Sequence, residues 1–109
     1  MSDFRLPSLV PERLPQGARL IDVRRRRAYE AAVERLAGAT WIDPESLHLT
    51  HRIFATETPL VFYCVHGHEV SQYATAMALV AGREAAYLRG GFEAAVAAGL
   101  PREARGGMA

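Results

Sequence analysis

Cysteine is nearly missing from this sequence: of 109 residues, Cys64 alone carries a thiol. No intrachain disulfide can form, which fits a reducing compartment and leaves that thiol free for other uses. A charge excess is missing too. Lys and Arg number 13 against 12 Asp and Glu, a net charge of +1. That is too little for a broad nucleic-acid or anionic-membrane surface. The one basic run, Arg24 to Arg27, is short and lies near a strand end. No stretch approaches the ~18 apolar residues that a spanning helix needs. No N-terminal signal pattern is visible. The expectation is a cytoplasmic protein. Internal repeats and low-complexity linkers are also lacking, so one domain is expected over residues 1–109. Its core would lie at about 8–101, with a flexible polar tail at 102–109. Hydrophobic residues make up 50% of the chain, enough for a real core.

What is present centres on the stretch from Pro59 to Ser71. Leu60 to Tyr63 is an apolar run rich in β-formers, which predicts a buried strand. Cys64 to Glu69 is polar and carries Gly67, which permits positive φ and a tight turn. From Val70 the period becomes helical, with Val70, Tyr73, Ala74, Met77, Val80 and Ala81 on the expected apolar face. Tyr63 and Tyr73 read as core. The cysteine therefore stands where a strand passes through a loop into a helix. Ligands bind beyond the carboxyl ends of strands in open α/β sheets. A helix N-terminus there offers unpaired N–H groups and partial positive charge, which favour a thiolate or an anion.

The rest of the chain alternates. A helical turn is expected over Ser8 to Leu14, with Ser8 as cap and Pro11 in the first turn. A turn at Pro15 to Gly17 precedes a strand from Ala18 to Val23. Arg26 to Leu36 reads as a helix with Tyr29, Ala32, Val33 and Leu36 on one face, closed by Gly38. Thr40 to Ile42 is a short strand. Asp43 caps a helix with Pro44 at its first position, running through Leu47 and Leu49 and fraying near Ile53. Gly82 stops the helix from Val70. Ala85 to Leu88 is a last strand, and Phe92 to Ala98 a last helix. This order implies an α/β fold of three layers, a mostly parallel central sheet with helices on both faces.

Several blocks resemble the rhodanese family of sulfurtransferases across roughly Ser8 to Pro101. Leu20-Ile21-Asp22-Val23-Arg24 is similar to the family's Ile-Asp-Val-Arg strand. Tyr29-Glu30 with Leu36-Ala37-Gly38-Ala39 is similar to the segment that leads to its next strand. Tyr63-Cys64-Val65-His66-Gly67 resembles the active-site loop, and Gly90-Gly91-Phe92 with Gly99-Leu100-Pro101 the terminal signature. The chain departs from the pattern at Arg35, at Ala95 and at His68-Glu69-Val70. The resemblance implies a thiosulfate sulfurtransferase that works through a persulfide on Cys64. The main chain of Val65, His66, Gly67, His68, Glu69 and Val70 would bind the sulfur, and Arg24 would stand at the pocket rim. It implies a small sulfur donor, a cyanide or thiol acceptor and a possible protein acceptor. No cofactor, metal, nucleic acid or membrane is called for.

Each residue also has a plainer reading. A single cysteine is often a small buried hydrophobe. His66 and His68 are commonly exposed loop residues, though either gains charge near neutral pH and so suits an anionic donor. Glu69 either repels such a donor or favours the helix dipole and points outward. His48 and His51 share a helical spacing but have no third ligand nearby, so they read as a solvated edge. Two rival functions are a sulfur-relay or binding module with little turnover of small donors, and a cysteine phosphatase or arsenate reductase. The latter needs Arg six residues after the nucleophile, where this chain has Val70.

Overall fold

The computed structural model describes residues 6–105. The expected alternation produces a five-stranded sheet, every pairing parallel, in the order β1-β6-β5-β2-β4. The strands are β1 (Ser8–Leu9), β2 (Arg19–Asp22), β4 (Thr40–Trp41), β5 (Leu60–Tyr63) and β6 (Ala85–Leu88). A second small sheet joins β3 (Glu34–Leu36) to β7 (Arg102–Ala104) in antiparallel fashion. The helices are α1 (Arg26–Ala31), α2 (Glu69–Val80) and α3 (Gly91–Ala97).

β5 holds the centre because all four of its residues are apolar and buried. A strand covered on both faces needs no polar alternation. Its side chains divide by the period of two. Leu60 and Phe62 join Ile21, Val23, Ala74 and Ala78 in the core under α2. Val61 and Tyr63 join Leu36, Leu88 and Ala95 in the core on the α3 face. The three-layer arrangement follows, with a core on each side of the sheet.

Five expectations are corrected. Ser8 and Leu9 form the edge strand β1 rather than a helix, because Tyr87 N–H donates to Pro7 O and Arg89 N–H to Leu9 O. Only Pro11–Arg13 makes a turn of 3₁₀-helix, entered from Val10. The helix from Arg26 stops at Ala31, and residues 34–36 become β3 because β7 supplies its hydrogen bonds. Val33 is accordingly exposed. The run after Asp43 breaks into two 3₁₀ turns, Pro44–Ser46 and Arg52–Ala55, although Asp43 does accept from Glu45 N–H. The expected tail is a strand over residues 102–104, pinned by Arg35–Glu103 and Arg102–Glu34 ion pairs. The remaining tail positions, 106–109, and the unpatterned start at 1–5 lie outside the described residues. Finally, α2 buries Ser71, Ala74, Thr75 and Ala78, a stripe of small side chains that lets the helix lie close to the sheet. Val70 and Met77 flank that stripe, while Tyr73 and Val80 face solvent.

The two central strands are tied at their carboxyl ends by a buried polar cluster. Tyr63 hydroxyl donates to Asp22 Oδ2 at 3.0 Å and accepts from Leu36 N–H at 3.1 Å. Burial pushes the phenol far up from its ordinary value, and the neighbouring Asp22 carboxylate adds to the shift, so it stays a donor. Tyr63→Phe leaves a buried amide and a carboxylate oxygen short of a partner. An unmet buried group costs about 1–3 kcal/mol. The variant should unfold at lower urea concentration with an unchanged slope against denaturant; an unchanged midpoint would contradict the role assigned to this hydroxyl.

Candidate active site

The residue after β5 is Cys64, buried to 7% exposure. From there the chain turns into α2 through a short loop, and its path is set from outside the loop. Phe92 N–H donates to Cys64 O at 2.8 Å, and Glu93 N–H to Val65 O at 3.3 Å. The first turn of α3 thus takes the carbonyls of the loop's first two residues. A trans peptide holds its N–H opposite its C=O. The N–H groups of Val65 and His66 therefore point away from α3. Further on, Gly67 O accepts from Gln72 Nε2, and His68 O accepts from Gln72 N–H. No described residue accepts from the N–H groups of Val65 to Glu69. The loop presents a run of unspent main-chain donors at the start of α2, the arrangement that suits an anion.

Glycine makes this closeness possible at two places. Gly67 has φ +75°, and a Cβ on it would lie 2.7 Å from Gly90 N and 2.8 Å from Leu88 O. Gly91 has φ +64°, and a Cβ there would lie 2.4 Å from Cys64 O. The loop and the Gly90-Gly91 turn are thus pressed backbone to backbone.

Cys64 opens onto a cavity of about 170 Å³, lined by Val65, His66 and His68 from the loop, Glu69 and Val70 from the start of α2, Arg24 and Arg25 from the β2–α1 connection and Ala28 from α1. Of the loop positions expected at the site, Gly67 alone is turned away, toward β6 and α3. A larger concavity of about 450 Å³ lies along β4 between Arg19 and Arg52 and shares no residue with this one.

Arg24 is 3% exposed. Its Nε lies 3.1 Å from both oxygens of Asp22, and Nη2 donates to Asp22 Oδ2 at 2.7 Å and to Glu34 O at 3.0 Å. Phe92 lies under the guanidinium at 4.6 Å, with Tyr29 and Tyr63 further out. Asp22 Oδ1 also accepts from Arg24 N–H and so closes the turn after β2. Arg24 is held as part of the wall, and its free charge is largely answered by Asp22.

Two exposed groups, His66 and Glu69, are engaged at the rim. His66 Nδ1 lies 3.3 Å from Glu93 Oε1, and Glu69 lies 3.6 Å from Arg25 Nη2 with 86% of its side chain exposed. The carboxylate of Glu69 leans outward. His48 Nδ1 is bonded to Thr50, and His51 Nδ1 accepts from Ile53 N–H. That pair occupies a short turn and not the helix edge expected of it.

Two neighbours of the thiol escape a reading of the sequence. Arg25 reaches the rim only because the turn after Asp22 is tight. Ser71 lies beneath the sulfur, fully buried, with Oγ 3.2 Å from Sγ. Its one sequence signal is its place on the first turn of a helix that starts beside the cysteine. Of the described residues, this hydroxyl is the sulfur's hydrogen-bond partner; no loop amide bonds to the thiol itself.

The family model of the rhodanese-like domain matches residues 7–98, and the chain belongs to that family. A thiosulfate sulfurtransferase from Pseudomonas aeruginosa superposes with a TM-score of 0.74 at 27% identity over 91% of this chain. The match spans only 19% of the Pseudomonas chain. The rhodanese-like domain of an Anabaena protein gives 0.73 at 23% identity, covering 89% of this chain and 78% of that one. The fold is shared more widely: an As-Sb reductase from Leishmania major gives 0.71 at 17% identity, over 87% and 79% of the two chains. No curated protein matches the sequence. No described helix is long and apolar enough to cross a membrane.

A comparison of two glycines tests the clasp. Gly82 has φ +83°, and a Cβ on it would meet nothing within 4 Å. Gly82→Ala should therefore cost only the left-handed penalty of about 1–2 kcal/mol. Gly91→Ala meets Cys64 O as well and should cost clearly more in a denaturant titration. Equal losses would mean that the loop and the α3 turn are not in register as described.

Proposed function

We propose that the protein is a sulfurtransferase that carries a sulfane sulfur as a persulfide on Cys64. The observation that carries the reading is a thiol that opens onto a small cavity beside a loop whose N–H groups, from Val65 to Glu69, no described residue engages. A thiolate on Cys64 attacks the outer sulfur of a donor such as thiosulfate. A bond forms between Sγ and that sulfur, the bond to the sulfonate sulfur breaks, and sulfite leaves with the electron pair. The negative charge now lies on the outer sulfur, within the cavity, where fixed main-chain dipoles suit it and need no reorganisation. A thiophilic acceptor, cyanide or a thiol, takes the outer sulfur and Cys64 leaves as thiolate. Splitting the transfer at a covalent intermediate replaces one hard step by two easier ones. No cofactor enters either step.

The family membership and the likeness to a thiosulfate sulfurtransferase support the same class of reaction. An oxyanion-cleaving activity of the phosphatase or arsenate-reductase kind has less support, because Val70 stands where such chemistry needs arginine and Arg24 is committed to Asp22. A protein thiol as the final acceptor fits the same intermediate. We also place the protein in the cytoplasm, where a single reduced thiol persists.

Two measurements bear on this reading. Incubation with thiosulfate should add one sulfur to the intact mass of the native protein, and cyanide should remove it. Cys64→Ser should gain nothing while keeping its fold; a gain of sulfur by that variant would exclude Cys64 as carrier. Glu69→Gln should release Arg25 from its exposed partner and lower KM for thiosulfate by no more than about threefold, the scale of a solvent-screened ion pair. A tenfold improvement would show that the carboxylate faces the donor.

A further inference from the structure

Ser71 is not accounted for by packing alone. It is fully buried on the first turn of α2, and its Oγ lies 3.2 Å from Cys64 Sγ and 3.4 Å from His68 O. A hydroxyl has one proton to donate and two lone pairs with which to accept. While Cys64 is a thiol, S–H donates to Oγ and the serine proton goes to His68 O. Once the thiol has lost its proton, the sulfur can only accept. The serine proton then has two candidate acceptors, an anion at 3.2 Å and a neutral carbonyl at 3.4 Å, and hydrogen bonds to ionised groups are about twice as strong.

We infer that Ser71 is a positioning residue whose hydroxyl proton moves between His68 O and Cys64 Sγ, and so favours the bare thiolate over both the thiol and the persulfide. In the persulfide, Sγ is a bridging sulfur and the charge is on the outer atom, so the serine proton returns to His68 O. The hydroxyl therefore acts at the two moments when charge lies on Sγ. It supports the nucleophile as loading begins and the leaving group as unloading ends. No proton is gained or lost by Ser71 in either direction. The consequence for turnover rests on the sulfur-transfer reading; the consequence for the thiol does not.

Thr75 provides the control, being equally buried on the same helix with its hydroxyl bonded to Ser71 O at 2.8 Å and not to the sulfur. The experiment is the rate of iodoacetamide alkylation of Cys64 against pH for native protein, Ser71→Ala, Ser71→Thr and Thr75→Val, each checked for native near-UV circular dichroism. Ser71→Ala should move the profile by about one unit toward alkaline pH, the scale of one hydrogen bond to a charged group. Ser71→Thr should return it toward the native curve, and Thr75→Val should leave it in place. At neutral pH, loading by thiosulfate and unloading by cyanide should each slow by about threefold in Ser71→Ala, since a more basic sulfur is scarcer as thiolate but more nucleophilic. A Ser71→Ala profile that overlays the native one would overturn the inference. So would an equal shift in Thr75→Val, which would trace the effect to a loosened helix. If the native protein takes no sulfur from thiosulfate while the alkylation profile still moves, Ser71 keeps its role and the sulfur-transfer reading fails instead.

Discussion

Two main-chain hydrogen bonds hold the loop that carries the thiol: those from Phe92 and Glu93 N–H to the carbonyls of Cys64 and Val65. A loop between a strand and a helix has as many acceptors as donors. Left alone, it would offer an incoming anion both signs of dipole. With the carbonyls of Cys64 and Val65 engaged from α3, and those of Gly67 and His68 from Gln72, most of the loop's free main-chain groups are amides. The selection depends on contact closer than a side chain permits, hence the glycines at positions 67 and 91. The polarity of the pocket is thus a property of the packing of β5, β6 and α3, and is set before any ligand arrives. Such preorganisation is where enzymes gain most from electrostatics, since fixed dipoles cost nothing to turn at the moment of reaction.

The same wall has a second support. Asp22, Arg24 and Tyr63 join the ends of β2 and β5 with charge kept out of water. A buried pair of this kind contributes little net stability over an apolar replacement, but breaking it by removing one partner costs about 3–5 kcal/mol. Its value here is geometric. The guanidinium lies over Phe92, the residue whose amide grips Cys64 O. The ion pair and the clasp therefore share a residue, and the rim occupied by Arg25 begins one peptide further on.

Most of the sheet was legible because its strands obey a strong local rule. Leu60–Tyr63 and Ala85–Leu88 fall where the apolar runs place them, and the strand through Leu20, Ile21 and Val23 does likewise. The position of Cys64 between β5 and α2 followed from the change of period alone. What the sequence did not disclose was decided by partners far along the chain. Glu34 to Leu36 has helical spacing with Tyr29, yet it pairs with Arg102 to Ala104, and nothing local announces that. Ser8 and Leu9 are claimed by β6 in the same way. On α2, Val70 to Ala81 show a plausible apolar face, but the sheet accepts the smaller stripe through Ala74 and Ala78, and two large residues are left outside. Ser71 was hidden for the same reason: a polar residue on an alanine-rich helix draws notice only once the helix has been rotated onto the sulfur.

The chemistry proposed for this rhodanese-like protein passes charge from the cysteine sulfur to an outer sulfur and back. In the proposed cycle Ser71 would attend to the first location and the loop amides to the second. The most direct measurement is a crystal structure of the protein after treatment with thiosulfate. The account predicts one added atom bonded to Cys64 Sγ, lying inside the cavity and surrounded by the N–H groups of Val65 to Glu69, with Ser71 turned toward His68 O. An unmodified sulfur, or an added atom directed away from those amides, would contradict it.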